Sequence, residues 1–215
     1  MKFVFLILVP FITFAQDPWK NVYSEKAWQD RDDWQKPQEI IKQLNIREGS
    51  QVADVGCHEG YMTVKLAKTV GAGKVWAVDV DQSKLDKLKE HLTERKISNV
   101  TTVKGDYDNP KLSNNSLDAV VILDTYHEMD DHDKILQHIK TALKPGGRLV
   151  ICEPIADARK DKARSEQEGR HELGMNYVLE DLAKAGFKIL YKKENFVDRT
   201  KVKGDRMWIV TAQKP

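Results

Sequence analysis

The chain has 215 residues, a net charge of +2, and basic and acidic side chains interspersed along its length. That length supports one domain with a full core. The balanced charge builds no basic face for nucleic acid, so a nucleic-acid partner is not expected.

The chain opens Met1-Lys2 and then runs uncharged and apolar from Phe3 to Ala15. A membrane-spanning helix needs about 20 apolar residues. This run is shorter, follows one positive charge and ends Thr13-Phe14-Ala15 before polar Gln16. It reads as a secretory signal peptide, residues 1–15, cleaved after Ala15. The expectation is an exported, periplasmic protein, or a membrane-anchored one, held close to the membrane, if the segment is retained. Residues 16–36 are polar, with Trp19, Tyr23, Trp28 and Trp34 at no consistent spacing. They read as a loosely structured arm that packs across the cleft built by the residues that follow. The main domain is taken as 37–215. It opens with a short helix from Pro37 to Leu44, with proline in its first turn and Ile40, Ile41 and Leu44 facing inward.

The stretch from Gln51 to Asp79 has the pattern of a mononucleotide-binding unit. Val52, Ala53 and Val55 form a short apolar run, as in a strand buried on both faces. Gly56 and Gly60 bracket a tight turn where a ligand can approach the backbone. Met62, Leu66, Ala67 and Val70 recur at helical spacing, and a second apolar run from Lys74 to Val78 ends at Asp79. The turn would present free N–H groups at a helix N-terminus, and Asp79 would accept from ribose hydroxyls. A dinucleotide fingerprint requires G-x-G-x-x-G. The chain instead reads Asp54-Val55-Gly56-Cys57-His58-Glu59-Gly60, which disfavours a nicotinamide oxidoreductase.

This segment resembles the first motif of class I S-adenosylmethionine-dependent methyltransferases, D/E-x-G-x-G-x-G, with His58 at the place of the middle glycine. The run RDDWQKPQEIIKQLNIREGSQVADVG resembles the corresponding segment in a small bacterial group related to methyltransferases of quinone biosynthesis. The resemblance implies S-adenosylmethionine as cofactor, with Asp54 near its ammonium group and Asp79 on its ribose. It also implies a single Rossmann-like α/β domain. Its mostly parallel seven-stranded sheet has the order 3-2-1-4-5-7-6, with helices on both faces and an antiparallel C-terminal strand.

Beyond Asp79 the elements follow that order. Leu85, Leu88 and Leu92 mark one face of a helix from about Lys84 to Lys96. Asn99 to Gly105 is the third strand, followed by Asp106 and Tyr107. By position in the family, Asp106 receives the adenine amino group, a donor that a carboxylate can accept. Tyr107 and Leu123 complete the expected cofactor contacts. Leu117 to Leu123 is the fourth strand and runs into Asp124-Thr125-Tyr126-His127-Glu128-Met129, where an open α/β sheet places its ligand crevice. His127-Glu128 suggests a zinc motif, but H-E-x-x-H needs histidine at the position of Asp131. His132 lies about 140° around a helix from His127, so no metal is expected. Asp133 to Leu143 is a helix stopped by Lys144-Pro145-Gly146-Gly147, and Arg148 to Glu153 is the fifth strand; LKPGGRLVICEP is a further family resemblance. The polar stretch from Ile155 to Asn176, with Arg164, Arg170 and His171, corresponds to the family's mobile lid or substrate wall. Tyr177 to Ala185 is a helix. Phe187 to Phe196 and Arg206 to Gln213 pair as a hairpin, joined by a basic loop read as solvated. Cys57 and Cys152 would stand two strand spacings apart, roughly 9–10 Å, too far for a disulfide.

Methyl transfer to a small-molecule acceptor is the expected activity. His127 is the candidate base, because its ordinary titration range lies near neutrality, and Tyr126 and His171 are candidates on the acceptor side. The competing reading is an exported, non-catalytic cofactor-binding or scaffold protein that keeps the fold. The acceptor atom and the oligomeric state are left open.

Overall fold

Strong β-propensity and runs that are apolar apart from Asp54 and Asp118 put β1 (Gln51–Val55) and β4 (Leu117–Leu123) side by side at the centre of the sheet, largely buried on both faces. The computed structural model describes residues 25–215. The signal peptide expected over 1–15, and the start of the arm with Trp19 and Tyr23, lie outside the described residues. The sheet is completed by β2 (Lys74–Asp79), β3 (Val100–Lys104), β5 (Leu143–Ile155), β6 (Lys188–Arg199) and β7 (Asp205–Gln213). The seven strands run β3-β2-β1-β4-β5-β7-β6. The first five are parallel, and β7 is antiparallel to both β5 and β6. This is the expected topology. The order reverses between β1 and β4, which opens a crevice beyond their carboxyl ends.

Alternation along the strands sorts the core into two layers. Val52 on β1 packs with Met62, Leu66 and Val70 of α3 (Tyr61–Val70) and with Leu85 and Leu88 of α4 (Gln82–Glu94). Ala53 and Val55 face the other way, against Ile135, Leu136 and Ile139 of α5 (His132–Ala142) and Val178 and Leu182 of α7 (Met175–Lys184). Asp54 therefore shares the α3 face with Val52. Among the described residues no helix is long and apolar enough to cross a membrane.

Three stretches differ from expectation. Glu25–Gln35 is a helix, α1, rather than a loose arm. One side chain anchors it: Trp28, 5% exposed, packs edge-on against Tyr61 at 6.1 Å between centroids. Asp32 then accepts from Tyr61 Oη and Lys65 Nζ at 2.7 Å each. Helix α2 (Pro37–Leu44) follows as expected. Lys144-Pro145-Gly146-Gly147 does not separate helix from strand, because β5 already begins at Leu143. The peptide of Lys214 takes up the run: Gly146 N–H donates to Lys214 O, and Lys214 N–H to Gly147 O, both at 2.9 Å. Finally, β6 extends to Arg199, and the basic loop after it contains a short helix, α8 (Thr200–Lys203). Cys57 and Cys152 are buried and unbridged, with β4 between their strands.

Candidate active site

The turn after β1 is tied to β2. Gly56 N–H and Cys57 N–H both donate to Val78 O, at 2.9 and 3.0 Å, and His58 N–H donates to Asp79 Oδ2 at 2.8 Å. Asp79 Oδ1 accepts from Asp81 N–H at 2.9 Å. The N–H groups of Gly56, Cys57, His58 and Gly60 are thus already engaged, and the turn also offers a ligand the Asp79 carboxylate. Gly56 has φ +77°, and a Cβ there would lie 2.0 Å from Thr125 Cγ2. Gly60 lines neither part of the cleft; it stands behind the turn against Leu88. His58 has φ +49° and its ring lines the cleft. Burial, reinforced by the Lys84 ammonium, pulls its imidazole down to about 4, so it is neutral at physiological pH.

Two cavities meet at Gly56, His58, Asp124 and Thr125. The larger, about 420 Å³, carries Asp79, Asp106 and Tyr107 on one wall and Glu128 and Met129 on the other. The smaller, about 140 Å³, is walled by Asp54 and Leu123 of the sheet, Met62 of α3, Arg31 of α1 and Lys203 of α8. Asp54 is 2% exposed and accepts from Thr63 Oγ1 at 2.6 Å. Burial pushes its carboxyl up to about 6 against the opposing pull of that hydrogen bond. The cleft thus brings together Asp54, Gly56, His58, Asp79, Asp106, Tyr107 and Leu123 of the cofactor residues expected from sequence.

The acceptor-side candidates divide. The loop after β4 is organised by Glu153, a fully buried carboxylate on β5. It accepts from the N–H groups of Thr125 at 2.6 Å, Tyr126 at 2.9 Å and His127 at 3.4 Å, and pairs with His127 Nδ1 at 2.5 Å. Burial alone would pull the His127 imidazole down. The Glu153 charge and hydrogen bond outweigh it and hold the ring up at about 9. The pairing with Glu153 thus favours the protonated ring, which weighs against the base expected of His127. Tyr126 stands apart from the cleft: it is fully buried, its hydroxyl donates to Asp181 Oδ2 on α7 at 2.9 Å, and its role is packing. His171 is exposed on the segment before α7, and its Nδ1 meets Glu128 Oε1 at 2.6 Å. Glu128 also lies 3.3 Å from His127 Nε2. Of the three candidates, His127 and His171 come together through Glu128, and Tyr126 does not join them.

Sequence reasoning missed the cluster at the mouth of the smaller cavity. Arg199, 3% exposed, donates to Asp124 Oδ2 at 2.8 Å and to Asp205 Oδ2 at 3.2 Å. Lys203 Nζ lies 3.9 Å from Asp124. Burial alone would push the Asp124 carboxyl up; Arg199 and Lys203 hold it down at about 2. The loop read as solvated is the wall of the site. The usable signal was Asp124 itself, an acid closing an otherwise apolar strand, which required a cation from elsewhere.

Residues 52–147 match a family described as a methyltransferase domain. The chain is 28% identical over 117 residues to a demethylmenaquinone methyltransferase of a Geobacillus species, covering 54% of this chain and 50% of that protein. It spans about half the length of the curated relatives it matches. A SAM dependent methyltransferase from Aquifex aeolicus superposes with a TM-score of 0.73 at 24% identity, over 88% of this chain and 98% of that one. The cyclase SpnF superposes equally well, with a TM-score of 0.73 at 21% identity over 84% of this chain and 80% of that one. Structural likeness at this level carries the fold and leaves the reaction to the site. Residues 52–147 thus match a methyltransferase domain, and the sheet that holds them has the fold seen in the SAM dependent methyltransferase from Aquifex aeolicus.

Proposed function

We propose that the protein binds S-adenosylmethionine and transfers its methyl group to a small-molecule acceptor. One observation carries this reading. Asp54, Asp79 and Asp106 place a carboxylate at each of the first three strands along one cleft, and the N–H groups of Gly56, Cys57 and His58 in the turn are engaged. Such a cleft repels a pyrophosphate. It suits a phosphate-free nucleoside bearing hydroxyls, an exocyclic amine and an ammonium group. Asp79 would hold the ribose, Asp106 the adenine amine and Asp54 the ammonium end, with Arg31 and Lys203 in reach of a carboxylate in the smaller cavity. The bound cofactor supplies an activated methyl on a sulfonium. The chain's task is to hold the acceptor in line with it and exclude water. The cavity wall formed by Glu128 and Met129 is the acceptor side.

Calorimetric titration with S-adenosylmethionine tests the reading. Saturable binding is expected, weakened at least about 100-fold in Asp79→Ala, because two ribose hydroxyls lose a charged acceptor worth about 1.5–3 kcal/mol per bond. A folded wild type that does not bind would overturn it. Binding without turnover of any acceptor would favour the scaffold reading.

The pH dependence tests Asp54. Its carboxyl titrates near 6 in the cofactor-free protein, and an ammonium beside it favours the ionised form. Below that pH the proton must leave before the cofactor binds. Affinity is expected to be flat from pH 7 down to about 6 and to fall up to about tenfold per pH unit below. An affinity constant between pH 5 and 7 would show that Asp54 does not meet the ammonium.

A further inference from the structure

We propose that His127, Glu128 and His171 form a binding site for one divalent transition-metal ion at the acceptor end of the cleft. One ligand atom from each residue lies within 4.8 Å of the other two. His127 Nε2 is 3.3 Å from Glu128 Oε1, and His171 Nδ1 is 2.6 Å from the same oxygen. Ligands bonded to one zinc-class ion at about 2.0–2.2 Å sit roughly 3.3 Å from each other. The first spacing is thus already at the required value, and the second, a hydrogen bond, must open slightly to reach it. The Glu128 and His171 side chains are 54% and 74% exposed, so rotation of either closes the third without moving the sheet.

Two further features support a metal over a chain of hydrogen bonds. His127 Nδ1 is committed to Glu153, a carboxylate with no exposed surface. A carboxylate on the inner ring nitrogen fixes the tautomer of metal-bound histidines and aims the outer nitrogen at the ion, which displaces the Nε2 proton to water on binding. Glu153 in turn holds the N–H groups of Thr125 and Tyr126, so the first ligand is mounted on the rigid part of the loop. The second imidazole comes from a residue at φ +58°, a conformation that a non-glycine residue adopts uncommonly, directly beyond α6 (Arg164–Glu168). The H-E-x-x-H spacing fails because the second histidine arrives from this distant segment.

The donor set selects the ion. Two imidazole nitrogens and one carboxylate suit Zn²⁺, Co²⁺, Ni²⁺ or Fe²⁺, whereas Mg²⁺ and Ca²⁺ favour oxygen ligands throughout. Three protein ligands leave a coordination position open, as in catalytic sites. Glu128 also lines the larger cavity. The ion's role there, which rests on the methyl-transfer reading, is to bind an acceptor hydroxyl or thiol. The metal lowers the pKa of that group and its proton leaves to water. The oxygen or sulfur then takes the methyl as the sulfonium becomes a thioether. This route needs no general base from the protein.

The test uses the full chain, stripped with a chelator, without a polyhistidine tag and without acceptor. Titration with Co²⁺ is followed by its visible ligand-field absorption, and competition with Zn²⁺ follows. One equivalent of Co²⁺ is expected, displaced by Zn²⁺. His171→Ala and Glu128→Ala, both at exposed side chains, are each expected to weaken it at least about 100-fold, and Glu153→Gln about 10–100-fold. His138→Ala, exposed on α5, is expected to bind as wild type. No Co²⁺ binding, or unchanged binding in His171→Ala, overturns the site and leaves a hydrogen-bonded latch. S-adenosylmethionine is titrated in parallel. Cofactor binding without Co²⁺ binding removes the metal site alone, whereas Co²⁺ binding without cofactor binding removes the methyl-transfer reading alone.

Discussion

Arg199→Met is expected to destabilise the protein by roughly 3–5 kcal/mol, because it leaves buried carboxylates without their counter-charge. For a chain of this size that is a fall in Tm of roughly 10 °C. Methionine approximates the length of the side chain and keeps much of its packing, so the loss isolates the charge. The two carboxylates concerned, Asp124 and Asp205, come from different elements, and Arg199 is the cation that both reach. Lysine is not expected to rescue, since a single ammonium cannot fork between two acceptors. The pH dependence carries a sign. The Asp124 carboxyl is held down at about 2, below its unfolded value of about 3.9. Its contribution is present above the unfolded value and is lost as pH falls through the folded one. The gap in Tm between wild type and variant should therefore be full at pH 7 and shrink steadily below pH 4. Thermal melts across that range decide the matter; coincident melts at pH 7 would show that the guanidinium is not what holds this loop in place. Cofactor affinity should fall with stability, because Asp124 borders both cavities.

A methyl group added at Gly56 should abolish cofactor binding while leaving most of the fold intact. Alanine at φ +77° is strained on its own, by roughly 1–2 kcal/mol. The larger effect is steric. The new Cβ would sit 2.0 Å from Thr125 Cγ2 and 2.7 Å from Thr125 Cβ. Thr125 cannot move aside, since its N–H is fixed to Glu153 at 2.6 Å. The turn must shift instead, and it carries the Asp79 contact through His58 N–H. A loss of at least about 100-fold in affinity is expected, equal to about 2.7 kcal/mol. Adding Thr125→Ser removes Cγ2 and should return part of that loss, about tenfold, in a double-mutant cycle. A Gly56→Ala variant that binds as wild type would mean that the cofactor does not lie against this turn.

The elements that could be read in advance are those whose signal is local. The apolar runs of β1 and β4, the helical spacing of Met62, Leu66 and Val70, and the acids at Asp54, Asp79 and Asp106 all declare themselves within a few residues, and family resemblance then orders them. What was illegible depends on distant partners. Helix α1 has no apolar stripe and is held by distant partners, Trp28 on Tyr61 and Asp32 on Tyr61 and Lys65. Arg199 and Lys203 looked like part of a solvated charge run because their partner Asp124 lies 75 residues from Arg199. Tyr126 sits among polar residues in a loop, and only the packing of α7 shows that its hydroxyl has a buried acceptor. His127 has the right chemistry for a base until Glu153 is placed beside it. Charge pairing between elements, more than secondary structure, separates the sequence reading from the site.

The two buried sulfurs have a consequence for where this chain can fold. Cys57 and Cys152 are the chain's two cysteines, and they are unbridged. Burial, with Asp54 and Asp79 beside Cys57 and Glu153 and Asp124 beside Cys152, pushes both thiols well above their ordinary range. Neither supplies the thiolate that oxidants attack. Among the described residues the native state contains no crosslink that a reducing compartment would break and no exposed thiol that an oxidising one would modify. The packing of these two thiols is redox-blind.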